Sequence, residues 1–171
     1  LRTGQRTMDL QFQSEDPYCT IVTHPCGPWG NWSRAALGKG GAAAATMLEA
    51  REHDRPILKL VARAVEHRVG NSRRVFLEHP LGSEAINQPE MKPVKDMILN
   101  GTLFFIRADG CMLGYCDADT GNPNYKPMGF ITSMPVAVDI LEKYRCDRSH
   151  VHCELEGSNS KGKRTRLAAS W

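Results

Sequence analysis

Residues 18–33 read Tyr-Cys-Thr-Ile-Val-Thr-His-Pro-Cys-Gly-Pro-Trp-Gly-Asn-Trp-Ser, and the fold turns on how this stretch divides. Its first half, Cys19 to Thr23, is short and β-branched, bounded by Asp16-Pro17 on one side and Pro25 on the other, which predicts a buried strand. The second half cannot continue that strand. Pro25, Gly27, Pro28 and Gly30 remove two backbone donors and permit unusual backbone angles, so the chain must turn sharply just past the strand's carboxyl end. In an open parallel sheet ligands bind at that edge. Cys26 is therefore expected on a rigid loop there, flanked by Trp29 and Trp32. A cysteine so placed is either a small apolar residue filling a turn or a nucleophile acting as its thiolate.

Downstream, strands and helices alternate. Gly38, Gly40 and Gly41 precede a run of four alanines with Met47 and Leu48, a helical composition; no Gly-Lys-Ser/Thr follows the glycines, so they form no phosphate loop. From Pro56 to Val69 apolar residues recur at helical spacing, with Pro56 suited to a first turn and Gly70-Asn71-Ser72 to a stop. Val75-Phe76-Leu77 then predicts a second buried strand, ended by Pro80, with Glu78 at its close. A strand–helix–strand crossover brings both carboxyl ends to one edge, placing Cys26 and Glu78 side by side. A short helix over 89–99 and a strand at Leu103 to Ile106 deliver Asp109 to Gly114 to that same edge. Phe130-Ile131-Thr132 predicts a further strand and Pro135 to Tyr144 a closing helix. The expected fold class is α/β, a partial Rossmann-like, mostly parallel sheet with helices on both faces. Residues 1–157 read as one domain and 158–171 as a basic polar tail without regular structure.

Composition narrows the classes. With 171 residues and 41% hydrophobic content the chain can bury a core of its own, and a net charge of +3 permits nucleic-acid binding without demanding it. No apolar run approaches a membrane span and no signal pattern opens the chain, so its six cysteines read as reduced thiols of an intracellular protein, nuclear or cytoplasmic. The polar opening from Leu1 reads as the start of a segment cut from a longer precursor.

Taken together, Pro25-Cys26 with nearby Trp29 and Ser33, then Glu78-His79-Pro80, Cys111-Met112-Leu113-Gly114, Lys126-Pro127 and Phe130-Ile131-Thr132 resemble the carboxyl-terminal part of the catalytic domain of DNA cytosine-5 methyltransferases. The similarity is to divergent versions in phages and retroelement polyproteins, and it covers most of residues 16–171. It implies Cys26 as the nucleophile that attacks carbon 6 of a flipped cytosine and Glu78 as the acid at ring nitrogen 3, with Pro25, Trp29, Ser33, His79 and Lys126 around the substrate. It also implies DNA as partner and S-adenosylmethionine as cofactor, although the family's cofactor fingerprint lies on strands before the cysteine loop and residues 1–15 are too few to supply it. His24, His79 and Met128 stand where relatives carry proline, asparagine and threonine. The alternative is therefore a catalytically inactive descendant serving as a structural or interaction subunit of a larger assembly.

Other residues admit other readings. Cys111, Cys116, Cys146, His150, His152 and Cys153 are types that zinc prefers, which leaves a zinc-dependent nucleic-acid module as a third reading. The spacing of Cys111 and Cys116 lacks the usual two-residue gap, so plain packed or exposed thiols are favoured, and no metal ligand is expected. Trp29 and Trp32 suit base stacking or loop anchoring. Lys161, Lys163, Arg164 and Arg166 suit phosphate contact or a solvated tail, and Asp109, Asp117 and Asp119 suit acidic turns.

Overall fold

The computed structural model describes residues 14–24, 26–117, 120–153, 158–159 and 162–163. Four strands form one sheet: β1 (Cys19–Thr23), β2 (Arg74–Pro80), β3 (Phe104–Asp109) and β4 (Pro127–Thr132), in the order β1-β2-β4-β3. Helices α1 (Asn31–Lys39) and α2 (Gly41–Gly70) connect β1 to β2, α3 (Lys92–Leu99) leads into β3, and α4 (Pro135–Leu141) follows β4. A small antiparallel ladder, β5 (Ser158–Asn159) against β6 (Gly162–Lys163), lies within the tail expected to lack regular structure.

The β1–β2 pair is parallel, as the crossover between them requires, with Thr23 opposite Glu78. The expectation of a mostly parallel sheet is corrected at the next two pairings. Both β2–β4 and β4–β3 are antiparallel, so the sheet is mixed and carries one parallel pair. The cause is the connection from β3 to β4, which contains a short 3-10 turn (Gly110–Leu113) but no crossover helix, so the chain returns alongside β3 in the opposite sense. β1, β2 and β3 still run in one direction, because β4 is inserted in reverse between β2 and β3. The carboxyl ends of three strands and the start of β4 consequently meet at one edge.

Alternation along β2 divides the core. Val75 and Leu77 face α2 and α3, packing with Leu58, Val61, Val65 and Val94. Phe76 looks the other way, into a second cluster with Ile106, Met128 and Phe130 under Ala137, Val138 and Leu141 of α4. Helices thus cover both faces, as the apolar periodicities predicted.

Two elements differ from the sequence reading. α2 is one 30-residue helix, and Pro56 lies inside it instead of opening a second one. An internal proline removes one helical hydrogen bond and crowds the preceding turn, at about 3 kcal/mol. Tertiary anchors on each side hold the helix through this point: before it Arg51 pairs with Glu84, Asp54 accepts the indole N–H of Trp29 and Arg55 reaches Glu90 at 3.2 Å, and after it Leu58, Val61 and Val65 pack into the core. α1 escapes a composition-based reading because it follows directly on a proline–glycine loop. β2 extends through Pro80, so Glu78 is an internal residue of the strand, paired in register with Phe130 of β4 and not past the strand's end.

Candidate functional site

The loop after β1 is a 3-10 turn, Gly27–Trp29, with Cys26 at its amino end; the Trp29 N–H donates to the Cys26 carbonyl at 3.0 Å. Beneath it Trp29 is wholly buried. Its indole N–H donates to Asp54, the Arg51 guanidinium lies 4.9 Å from its ring centroid, and its carbonyl accepts the Glu84 N–H at 2.8 Å. Arg51 also donates to the Pro28 carbonyl at 2.9 Å and to Ser33 Oγ at 3.2 Å, while Ser33 Oγ donates to the Gly30 carbonyl at 2.8 Å. The tryptophan and serine expected to contact substrate are therefore the buttress of the loop: neither is exposed, and both spend their polar atoms internally. Trp32 is the exposed aromatic here, at 72%. Pro25 lies outside the described residues, as does Asp119.

Cys26, half-buried, follows three residues after Thr23, which is the register partner of Glu78. The strand ends that the sequence pairs are thus neighbours at one edge. Burial pushes the Glu78 carboxyl above its ordinary range, and the nearby Lys126 ammonium works against that rise. Lys126 precedes β4, whose amino end meets the same edge, and its Nζ stands 5.8 Å from the Tyr115 ring centroid. Glu78 and Lys126 interact at this edge, and the loop carrying Cys26 leaves the strand next to that of Glu78.

His79 is not. The pleat of β2 sends consecutive side chains to opposite faces, so His79 points away from Glu78 into the face packed under α2. It is 3% exposed, its ring centroid lies 5.5 Å from that of Phe105, and burial, with His24 alongside, lowers its pKa to about 4. His24 is likewise depressed by burial. Gly129 makes room for this packing: a Cβ there would sit 3.0 Å from His79 Nε2 and 3.1 Å from Phe105 Cζ. The histidine expected beside the substrate is a neutral core residue.

A second constellation stands at the β3 end of the edge. Cys111, in the 3-10 turn after β3, converges with Cys146, His150 and His152 from the segment after α4, and the four ligand atoms lie within 4.8 Å of one another. Cys146, expected as a plain packed or exposed thiol, thus has a second thiol and two imidazoles beside it. The partners of Cys111 come not from Cys116, five residues on, but from the spacing Cys146-x3-His150-x-His152, about 35 positions later. Cys116 is exposed and hydrogen-bonds to the Gly114 carbonyl at 3.4 Å.

Asp109, wholly buried at the end of β3, joins the two halves: its carboxylate accepts the Cys146 N–H at 2.9 Å and the Arg107 guanidinium at 3.1 Å. It serves this junction and not the acidic-turn role expected of it. Gly110 beside it admits no side chain, since a Cβ would lie 2.7 Å from Tyr115 Cδ2. Elsewhere, a surface groove of about 420 Å³ is lined by Lys59, Arg63, Glu66, Pro89, Glu90 and Pro93 and holds none of these residues. Lys161, Arg164 and Arg166 of the basic tail lie outside the described residues. Among those described, no helix is long and apolar enough to cross a membrane. Compared with known protein families, with curated proteins and with solved structures, the chain matches none.

Proposed function

We propose that the edge carrying Cys26 and Glu78 acts on a flipped pyrimidine of DNA, in the manner of the cytosine-5 methyltransferases that the sequence resembles. The observation that supports it is the parallel β1–β2 register, which sets Cys26 three residues beyond the partner of Glu78. In this reading the Cys26 thiol adds across the C5–C6 double bond of the base. Sulfur bonds to carbon 6, the thiol proton passes to solvent as the thiolate forms, and carbon 5 takes up a proton. Glu78, its carboxyl raised by burial, holds ring nitrogen 3 and offsets the negative charge that attack builds into the ring. Lys126 lies close enough to Glu78 to modulate that charge, and exposed Trp32 is the aromatic available to the extruded base, whose unstacking costs a few kcal/mol. Trp29, Ser33 and His79 act by holding the loop and the sheet.

The described residues do not fit S-adenosylmethionine. In the family its site lies on strands preceding the cysteine loop, and among the described residues β1 is an edge strand with no such neighbour. No methyl-transfer step is therefore drawn. The same open edge favours a second reading, a descendant without chemistry that docks in a larger assembly: Tyr18 and Ile21 are 68% and 74% exposed along it.

A test that needs no cofactor separates the two. A duplex oligonucleotide with randomised flanks carries 2-pyrimidinone, a cytosine lacking its 4-amino group and hence more open to attack at carbon 6. The full chain is expected to form an adduct that survives denaturing electrophoresis, Cys26→Ala none, and Glu78→Gln at least tenfold less. Absence of an adduct with the unaltered chain overturns the enzymatic reading in favour of the docking one.

A further inference from the structure

We infer that Cys111, Cys146, His150 and His152 bind one Zn²⁺ in a closed tetrahedral site that fastens the segment after α4 to the end of β3. The inference stands independently of any role for Cys26. Its first support is distance. Zinc bonds of about 2.3 Å to sulfur and 2.1 Å to nitrogen give tetrahedron edges of roughly 3.4–3.8 Å. Cys146 Sγ lies 3.3 Å from His152 Nε2 and 3.8 Å from His150 Nε2, and all four ligand atoms fall within 4.8 Å, so closing on an ion needs side-chain adjustment of an ångström or less.

The second support is the scaffold. The backbone turns at Cys146 so that the Arg148 N–H donates to Cys146 Sγ at 3.2 Å, a bond that offsets thiolate charge, and Arg148 adopts a left-handed φ of 62° to do so. Asp109 fixes the Cys146 backbone from the other side at 2.9 Å. The Tyr125 ring, 5.0 Å from that of His152, is itself held by a 2.7 Å hydrogen bond from Arg107. Such outer contacts orient ligands toward a metal.

The third is chemistry. Two thiols and two imidazoles are the soft and borderline donors that select zinc over calcium or magnesium. Binding displaces the protons of both thiols, so the ion and its two thiolates are together neutral, a charge state suited to a half-buried site. Four protein ligands leave no position open for water, which makes the site structural. Residues 145–153 contain no helix or strand, only an isolated bridge from Cys153 to Asn124, and a metal would supply the order that backbone pairing does not.

Metal analysis of the purified full chain is expected to find one equivalent of zinc. Replacement by Co²⁺ is expected to give the intense visible bands of tetrahedral coordination with sulfur-to-cobalt charge transfer at higher energy. Cys111→Ser should weaken cobalt binding at least tenfold, whereas Cys116→Ser, outside the cluster, should leave it unchanged. His152→Cys keeps four ligands and should raise the charge-transfer intensity by about half, from two thiolates to three. A chain without zinc whose cobalt complex shows only weak octahedral bands overturns the assignment. So do iron in place of zinc, or cobalt bands indifferent to Cys111→Ser.

Discussion

His79 shows how burial converts a residue type into a stability term. Its ring is neutral in the folded chain because desolvation, reinforced by His24, lowers its pKa to about 4, while an exposed histidine in the unfolded chain titrates at 6.5. Between those values the unfolded chain binds more protons, so folding stability is complete above pH 6.5 and falls as the pH drops toward 4. The slope approaches about 1.4 kcal/mol per pH unit for one such group. Denaturant titrations across this window are expected to show a smaller slope for His79→Leu than for the parent chain. A residual slope should remain, since His24 is depressed in the same direction. An unchanged slope would mean that the imidazole is not desolvated. At the same scale, Trp29 and Ser33, expected beside a substrate, are buried and touch instead the loop that carries Cys26.

Among the elements, α2 positions the loop after β1 and the 84–90 segment. It packs Leu58, Val61 and Val65 onto the sheet and at its amino half sends Arg51, Asp54 and Arg55 to the loop and to the 84–90 segment. Pro56 lies between these anchors. Pro56→Ala would restore a backbone donor for the Glu52 carbonyl and relieve crowding of the preceding turn, against a smaller gain in unfolded-state entropy. The expected outcome is a rise in unfolding free energy of about 1–3 kcal/mol, read from chemical denaturation. A loss would show that the helix is shaped around the proline. The mixed sheet is likewise an element-scale outcome, because the described residues of the 110–126 connection form a 3-10 turn and isolated bridges and no α-helix that would carry the chain across.

Over the whole molecule, the entry to β1 is tied to the far end of α2 and to the start of β2 through one carboxylate. Asp16 accepts from Arg73 and, at 3.1 Å, from Arg68, a guanidinium that is 1% exposed and also donates to the Pro17 carbonyl. The two arginines hold the Asp16 pKa down to about 2. A lowered folded pKa gives stabilisation that is complete above the unfolded value of 3.8 and disappears as the pH falls through 2. Asp16→Asn is expected to destabilise the chain by a constant amount at neutral pH, the difference from the parent vanishing between pH 4 and 2. A gap that persists at pH 2 would place the effect outside this ion pair. Because Arg68 is buried and Asp16 is half exposed, the arginine depends on the pair more than the carboxylate does.

Local chemistry alone determined much of this. The β-branched run before a proline–glycine turn made β1 and its loop. Apolar periodicity gave the carboxyl half of α2, and the crossover rule put Cys26 and Glu78 on one edge. What lay beyond reach were facts set by neighbours distant in the chain. The direction of β4 depends on which strand edge remains open when it arrives, the two faces of β2 assign Glu78 and His79 to different surroundings, and Pro56 is tolerated only because tertiary anchors flank it. The convergence of Cys111 with Cys146, His150 and His152 is of the same kind. Spacing reports ligands only when they are near in sequence, and these are joined by the packing of α4 and the carboxylate of Asp109, interactions that exist only once the sheet has formed.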